Sequence, residues 1–189
     1  LSEIGLEIPC LSSGSSLKNK DKYDEVVFEI KSYIALADKL SAPYIRVLAD
    51  SDPMPTGEVD DEYVIGLLKE LSELTRGTNV TLLVETNGVY ANTVRLKEVL
   101  DAVGSDKVAA LWDMHHPYRY FGEQPESTLA NIAKYIKHVH IKDSVMIDGK
   151  VAYRMMGEGD LPLERMIEAL SDIGYNGYIS LEWVKRWSG

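Results

Sequence analysis

The sequence predicts a single α/β domain over residues 1–189, built on a parallel sheet that is covered by helices. Two observations predict this fold class. Short apolar segments alternate along the whole chain with longer segments of helical period. The hydrophobic content of 45% is sufficient for a buried core. Strict alternation of this kind is typical of an open doubly wound sheet or of a barrel.

Six segments have the composition of buried strands, and each is separated from the next by helical periodicity. The strand candidates are residues 5–11, 44–49, 80–85, 108–113, 138–141 and 177–182. The two clearest helices are residues 23–40 and 61–74. The first carries an apolar stripe of Val26, Ile30, Ile34 and Ala37, and the second one of Val64, Leu67, Leu68 and Leu71. Similar stripes lie within residues 94–103, 129–136 and 163–170. Pro162 near the start of the last helix and Gly174 just beyond its end are typical helix boundaries.

Four strand candidates end in a side chain that can bind a metal, namely Glu85, Asp113, His140 and Glu182. In a barrel of parallel strands the carboxyl ends lie on one face, so these side chains could meet around one ion. One carboxylate in such a place is as often a helix cap, and one histidine is more often a core residue. Four such residues at equivalent positions favour a barrel, and no nucleotide-binding glycine motif supports the open sheet.

Charge and composition exclude several classes of function. The formal net charge of −10 disfavours binding to nucleic acid or to an anionic membrane surface. The sequence contains no run of about 20 apolar residues and no signal-peptide pattern, so a soluble chain is expected. A cytoplasmic location is the default expectation. The lone Cys10 cannot form an internal disulfide and is expected to be a buried thiol.

Five segments of this chain resemble the xylose-isomerase-like (β/α)₈ barrels, and the resemblance extends over nearly the whole sequence. The segments are 84–87 (VETN), 112–116 (WDMHH), 138–143 (HVHIKD), 157–160 (GEGD) and 177–182 (GYISLE). The family includes ketose 3-epimerases, hydroxypyruvate isomerase, inosose dehydratase and an apurinic endonuclease. The resemblance implies that residues 84–182 contain strands five to eight and that residues 5–11 are strand three. The expected fold is therefore a TIM-type barrel with six strands, lacking the first two βα units.

The resemblance also implies that Glu85, Asp113, His140 and Glu182 hold one divalent metal ion. Oxygen donors with one imidazole favour Mn²⁺, Mg²⁺ or Co²⁺, and Zn²⁺ also fits. The expected function is a metal-dependent isomerase or epimerase acting on a small sugar or polyol through a metal-stabilised enediolate. Glu85 and Glu182 are the expected pair of proton-transfer residues. Return of the proton to the neighbouring carbon gives isomerisation, and return to the opposite face gives epimerisation.

Three further residues are expected to bind substrate. The resemblance places His116 against a substrate oxygen and Arg154 in a loop where relatives present a cation. Lys142 follows His140 by two residues, so it points to the same side of a continuing strand. A salt bridge with a neighbouring acid is an equally good interpretation of Lys142. By analogy with relatives, the chain is also expected to form a homo-oligomer.

Two alternative functions stay open. A lyase of the inosose dehydratase type would share the metal site and differ only in what leaves after proton abstraction. A non-catalytic barrel fragment would explain the missing strands. DNA repair by the endonuclease of this fold is disfavoured, because that enzyme holds three metals with many histidines and this chain has four histidines.

Overall fold

The computed structural model of the chain describes residues 4–183 and is built around a six-stranded parallel sheet. The strands are β1 (Cys10–Ser16), β2 (Tyr44–Leu48), β3 (Thr81–Glu85), β4 (Val108–Asp113), β5 (Ile136–Ile141), β6 (Asp143–Ile147), β7 (Lys150–Arg154) and β8 (Ile179–Leu181). The sheet has the order β1-β2-β3-β4-β5-β8, while β6 and β7 form a separate antiparallel hairpin. The predicted partial barrel of six parallel strands is confirmed.

Helices join the strands of the sheet in the predicted alternation. They are α1 (Tyr23–Leu40), α2 (Asp61–Leu74), α3 (Thr93–Val103), α4 (His115–Phe121), α5 (Pro125–Ile132) and α6 (Leu163–Asp172). The apolar stripes predicted for α1 and α2 are buried, as amphipathic helices packed on a sheet require. Within residues 4–183, no helix combines the length and the apolar composition needed to cross a membrane.

Alternation of side chains along the strands divides the interior into two parts. On the helix side, residues such as Ile45 and Val47 of β2 are fully buried and belong to the large core shared with the helices. On the opposite side of the sheet, a smaller apolar cluster forms around Leu83, Ala109 and Leu111. The polar side chains at the carboxyl ends of the strands therefore lie above an apolar floor.

The first strand begins five residues later than the sequence predicts, so the prediction of a strand at residues 5–11 is wrong. Pro9 has no N–H to donate to a ladder. Pairing with β2 begins at Cys10 opposite Tyr44 and continues into the serine-rich residues 12–16. A strand with so many serines has no apolar alternation that would identify it.

Two other elements had no counterpart among the predicted segments. The β6–β7 hairpin occupies residues 143–154, where most side chains beyond residue 144 are half-buried or exposed and show no clear alternation. Helix α4 begins two residues after the end of β4, in a segment for which the sequence predicts no helix. The last strand is shorter than the predicted residues 177–182, and β5 begins two residues before the predicted residues 138–141.

A buried carboxylate, Asp50, connects the carboxyl ends of β2 and β3. Its Oδ2 accepts a hydrogen bond from the Val89 N–H at 3.1 Å, and its backbone carbonyl accepts one from Asn87 Nδ2 at 2.7 Å. Lys18 Nζ supplies the opposite charge 2.5 Å from Asp50 Oδ1. Gly88 lies against this carboxylate with a φ of +56°, and a Cβ there would stand 2.2 Å from Asp50 Oδ2. The loop after β3 therefore has little freedom to move.

Replacing Gly88 by alanine is expected to destabilise the fold more than the same change at Gly77. Both glycines have positive φ, at +56° and +81°, but an added Cβ at Gly77 meets nothing within 4 Å. We expect Gly77→Ala to cost about 1 kcal/mol from backbone strain, and Gly88→Ala about 1–3 kcal/mol more from overpacking. Urea denaturation of both variants measures the difference in unfolding free energy. Equal losses would show that the loop adapts to the extra carbon.

The thiol of Cys10 is expected to react slowly in the folded protein. Cys10 is half-buried rather than fully buried as predicted, and burial raises the pKa of its thiol to about 12. At pH 8 a thiol of ordinary pKa is about one quarter ionised, whereas this one would be almost fully protonated. We expect a disulfide reagent to label the native chain at least about tenfold more slowly than the chain in urea. Equal rates would mean that the thiol is neither shielded nor held neutral.

Candidate active site

The carboxyl ends of four neighbouring strands bring the four predicted metal ligands together. Glu85 and Asp113 are the last residues of β3 and β4, His140 lies near the end of β5, and Glu182 directly follows β8. One potential ligand atom from each lies within 4.8 Å of the others. The parallel registers produce this meeting point, because Asp113 pairs with His140 and the Glu182 N–H donates to the Ile141 carbonyl at 2.9 Å.

Lys142 lies inside this cluster of acids. Its Nζ is 2.5 Å from Asp113 Oδ2 and also donates to Glu182 Oε2. The side chain is only 4% exposed. Burial alone would lower the pKa of Lys142, but the charges of Asp113 and Glu182 outweigh it and raise that pKa above its ordinary value. The predicted salt bridge of Lys142 with a neighbouring acid is therefore present.

The three carboxyl groups differ in their surroundings. Burial opposes ionisation of Glu85, but His140 and Arg46 outweigh it and lower the pKa of Glu85. The pKa of Asp113 is also lowered, because nearby histidines and Lys142 overcome its complete burial. Burial raises the pKa of Glu182, and the neighbouring acids add to that effect.

His140, the histidine of the cluster, contacts Glu85 and His138 on the inner face of the sheet. His140 Nδ1 lies 3.4 Å from Glu85 Oε1 and has no hydrogen-bond partner among the described residues. One layer deeper on the same strand, His138 contacts the Ser180 hydroxyl at 2.9 Å through Nε2. The two rings pack edge to face with centroids 5.6 Å apart. His138 thus fills the space below His140 without joining the acidic cluster.

His116 lies on the wall of the cavity in the first turn of α4. Its Nδ1 is 3.0 Å from the Thr86 carbonyl, which can only accept, so Nδ1 carries a proton. The buried Nε2 is left as an acceptor with no partner among residues 4–183. His115 points elsewhere, with Nε2 2.9 Å from the Ser144 hydroxyl, and burial lowers its pKa to about 2. A second group of potential ligand atoms, from Asp113, His115 and His116, overlaps the first.

Sequence reasoning missed Arg46 of β2. Its side chain is 16% exposed, lines the cavity, and places Nε 3.3 Å from Glu85 Oε2. An arginine in the middle of a buried strand is rare unless it is paired or functional, and the segment Tyr44–Leu48 contains that signal. The residue was assigned only to the strand.

A cavity of about 670 Å³ opens above the cluster. Its charged and imidazole lining consists of Arg46, Glu85, His116, Lys142 and Glu182. Arg154 does not line this cavity. It ends β7 beside a smaller cavity and donates Nη1 to the Tyr153 carbonyl at 2.9 Å.

The Gly157–Asp160 motif has a structural partner in Asp143. Asp143 Oδ2 accepts hydrogen bonds from the N–H groups of Gly157 and Gly159, at 3.0 and 2.9 Å. A Cβ at Gly159 would collide with the same carboxylate, so a glycine is required there. This contact fixes the backbone directly after Lys142.

The relatives of known activity are enzymes that act on sugars or polyols. Inosose isomerase of Halalkalibacterium halodurans is 27% identical over 178 residues, covering 87% of this chain and 62% of that protein. Inosose dehydratase of Clostridium perfringens is 26% identical over 186 residues, covering 80% of this chain and 62% of that protein. Fructoselysine 3-epimerase of Escherichia coli O157:H7 is 30% identical over 126 residues, covering 64% of this chain and 44% of that protein. The chain thus spans less than two thirds of the length of these relatives.

Solved structures with the same fold include two that contain a metal. The IOLI protein with a bound zinc atom has a TM-score of 0.81 at 20% identity, covering 96% of this chain and 69% of that one. A protein from Mycobacterium smegmatis in complex with magnesium has a TM-score of 0.77 at 18% identity, covering 96% of this chain and 68% of that one. At these identities the likeness shows the fold alone.

Family membership follows from the match over nearly the whole chain. A family profile described as xylose isomerase-like TIM barrel matches residues 1–188. The six parallel strands in the order given above agree with it. The chain belongs to the xylose isomerase-like TIM barrel family.

Proposed function

We propose that this chain carries the metal site and the proton-transfer residues of a sugar isomerase or epimerase. The observation that supports this most is the meeting of Glu85, Asp113, His140 and Glu182 at one point, with ligand atoms within 4.8 Å of one another. The relatives named above are an isomerase, a dehydratase and an epimerase. The substrate is proposed to be a small sugar or polyol that carries a carbonyl group.

The residues present fit a divalent ion. Three buried or half-buried carboxylates in one place require a cation, and the Lys142 ammonium already supplies one between Asp113 and Glu182. The imidazole nitrogen of His140 that faces the cluster has no hydrogen-bond partner among residues 4–183. Three carboxylates and one imidazole suit Mn²⁺, Mg²⁺ or Co²⁺, and Zn²⁺ is compatible with the same donors. We propose that these four residues hold one such ion.

Two of the same carboxylates are proposed to move the proton. A divalent ion supplies Lewis-acid polarisation of a substrate carbonyl, which acidifies the adjacent C–H. Glu85 lies on β3 and Glu182 follows β8, so they face the cluster from strands on opposite sides of β4 and β5. One can take the proton from a carbon, and the other can return it to the neighbouring carbon or to the opposite face.

Two further side chains are proposed to bind substrate hydroxyls. His116 lines the cavity, and its buried Nε2 is an acceptor without a partner among residues 4–183, because its Nδ1 proton is engaged by the Thr86 carbonyl. Lys142 also lines this cavity, so its ammonium lies within reach of a substrate bound there. Arg154 faces a different cavity, and we assign it no role in this proposal. The expected homo-oligomer and cytoplasmic location stay predictions.

A lyase of the inosose dehydratase type is the second candidate. The chain is 26% identical over 186 residues to an inosose dehydratase and 27% identical over 178 residues to an inosose isomerase. The two matches therefore favour the lyase and the isomerase about equally. Both reactions begin by removing a proton next to a carbonyl, so the same residues serve either. The two differ in whether a hydroxide group then leaves from the neighbouring carbon.

The metal site predicts that Glu182→Gln and His140→Ala each weaken the binding of Mn²⁺ by at least about 100-fold, since each removes a ligand. Isothermal titration with Mn²⁺ and metal analysis after chelation measure the affinity and the stoichiometry. The parent chain is expected to hold about one ion.

Matched controls separate ligation from loss of fold. His138→Ala removes the other inward-facing histidine of β5, and Glu158→Gln removes an exposed carboxylate on a nearby loop. Both should bind Mn²⁺ like the parent. If the parent holds no ion, or if the controls lose as much affinity as the ligand variants, the proposed metal site is wrong.

Proton transfer predicts a distinct signature in heavy water. Incubation of the Mn²⁺-loaded chain with ketoses and inososes in D₂O should place deuterium on the carbon next to the carbonyl, measured by NMR. Glu85→Gln and Glu182→Gln should each lower the rate by about 10²–10⁴-fold, and Glu158→Gln should not. An unsaturated product that forms instead of a rearranged sugar would favour the lyase. Exchange that persists in both glutamine variants would exclude these residues as acid and base.

A further inference from the structure

Arg46 lies on the inner face of the sheet, beside the proposed metal site. It stands in the middle of β2, opposite Ser12 of the neighbouring strand β1. Both residues line the cavity of about 670 Å³. The Arg46 side chain is 16% exposed, so most of its length is enclosed by protein and its open part faces the cavity.

The guanidinium of Arg46 has few partners for a group that is so enclosed. Its Nε is 3.3 Å from Glu85 Oε2, which makes an ion pair but not a hydrogen bond, and this nitrogen is buried without a hydrogen-bond partner among the described residues. Within residues 4–183, its side chain donates no hydrogen bond. A guanidinium offers five donors, and the one on the buried Nε is left unsatisfied, which is costly. The donors of Arg46 are therefore available to a ligand in the cavity.

The charges around the cavity indicate the sign of that ligand. Glu85, Asp113 and Glu182 carry three negative charges against two positive charges from Arg46 and Lys142. Lys142 is already engaged by two of the carboxylates. These five side chains together carry one net negative charge. A bound divalent ion would change the sum to one net positive charge. Arg46 is the cation whose donors stay free, so it is the one that can bind an anion.

We propose that Arg46 binds an anionic oxygen group of the substrate, a carboxylate or a phosphate, next to the metal site. The planar guanidinium fork suits either group through two parallel hydrogen bonds. The Ser12 hydroxyl, adjacent on the cavity wall, provides another donor. The preferred substrates are then acidic or phosphorylated keto sugars rather than neutral ones. This assignment rests on the proposed function, because the ion supplies the excess positive charge.

Three ketohexose probes that differ only at one end test the assignment. D-Fructose ends in a neutral hydroxymethyl group, D-fructuronate in a carboxylate and D-fructose 6-phosphate in a phosphate. We expect the Mn²⁺-loaded chain to bind at least one anionic probe tenfold or more tightly than D-fructose in isothermal titration. The tighter of the two anions identifies the carboxylate or the phosphate as the preferred group.

Arg46→Met should abolish this preference, and Arg46→Lys should retain part of it because the charge stays but the fork is lost. Arg76→Met, which removes an exposed arginine on the surface, is the matched control and should behave like the parent. If Arg46 only neutralised Glu85, its loss would change stability and metal affinity without changing the ratio between anionic and neutral probes.

Metal content and melting temperature are measured on the same samples. An unchanged preference in Arg46→Met, equal binding of all three probes by the parent, or no binding of any probe would each overturn the role of Arg46 while leaving the metal site intact. A parent chain without metal would overturn the proposed function and this assignment with it. If Arg46→Met does not fold, the test rests on Arg46→Lys. If that variant keeps the full preference for anionic over neutral probes, bidentate binding by Arg46 is excluded.

Discussion

The structure depends on three carboxylates that are brought together at one end of a parallel sheet. Like charges in a partly desolvated site repel one another, so the site needs cations within reach of all three. Lys142 reaches Asp113 and Glu182, and Arg46 approaches Glu85. Each of these five side chains is fixed by the strand that carries it or that it directly follows. The register of the parallel ladders thus determines the electrostatics of the site.

Two other carboxylates, away from the cluster, hold the loops that surround it. Asp50 accepts the Val89 N–H behind the end of β3, and Asp143 accepts the N–H groups of Gly157 and Gly159 behind the end of β5. Both are buried and engaged with backbone donors, so they stabilise loop conformation rather than take part in chemistry. Such support restricts the backbone of the loops around the candidate site, and a fixed backbone is one requirement of a preorganised site.

Much of the site could be predicted from the sequence, because apolar strands that end in Glu85, Asp113 and Glu182 make those residues conspicuous. The bounds of strand β1 could not be predicted from the sequence, because its inner face lines a polar cavity. Serines there replace the apolar residues that mark a strand. Arg46 was missed for a related reason. Its neighbours Ile45 and Val47 point to the helix side and identify the strand, while the arginine points to the cavity and breaks the expected pattern. Lys142 had two equally good interpretations, and only its contacts in the structure show the salt bridge.

The position of each group along the sheet separates the proposed metal ligands from Arg46, the residue proposed to bind substrate. Glu85, Asp113 and His140 lie on β3, β4 and β5, and each of these strands is paired with a neighbour on both sides. Glu182 follows β8, which pairs only with β5 among the described strands, and its side chain is 26% exposed. Under the proposed function, three of the four ligand residues are therefore carried by strands with two neighbours, and Glu182 is the one at the less enclosed end of the cluster. Arg46 stands on β2, on the far side of Glu85 from the other ligands, so a substrate bound by both the ion and Arg46 would have to pass directly over Glu85.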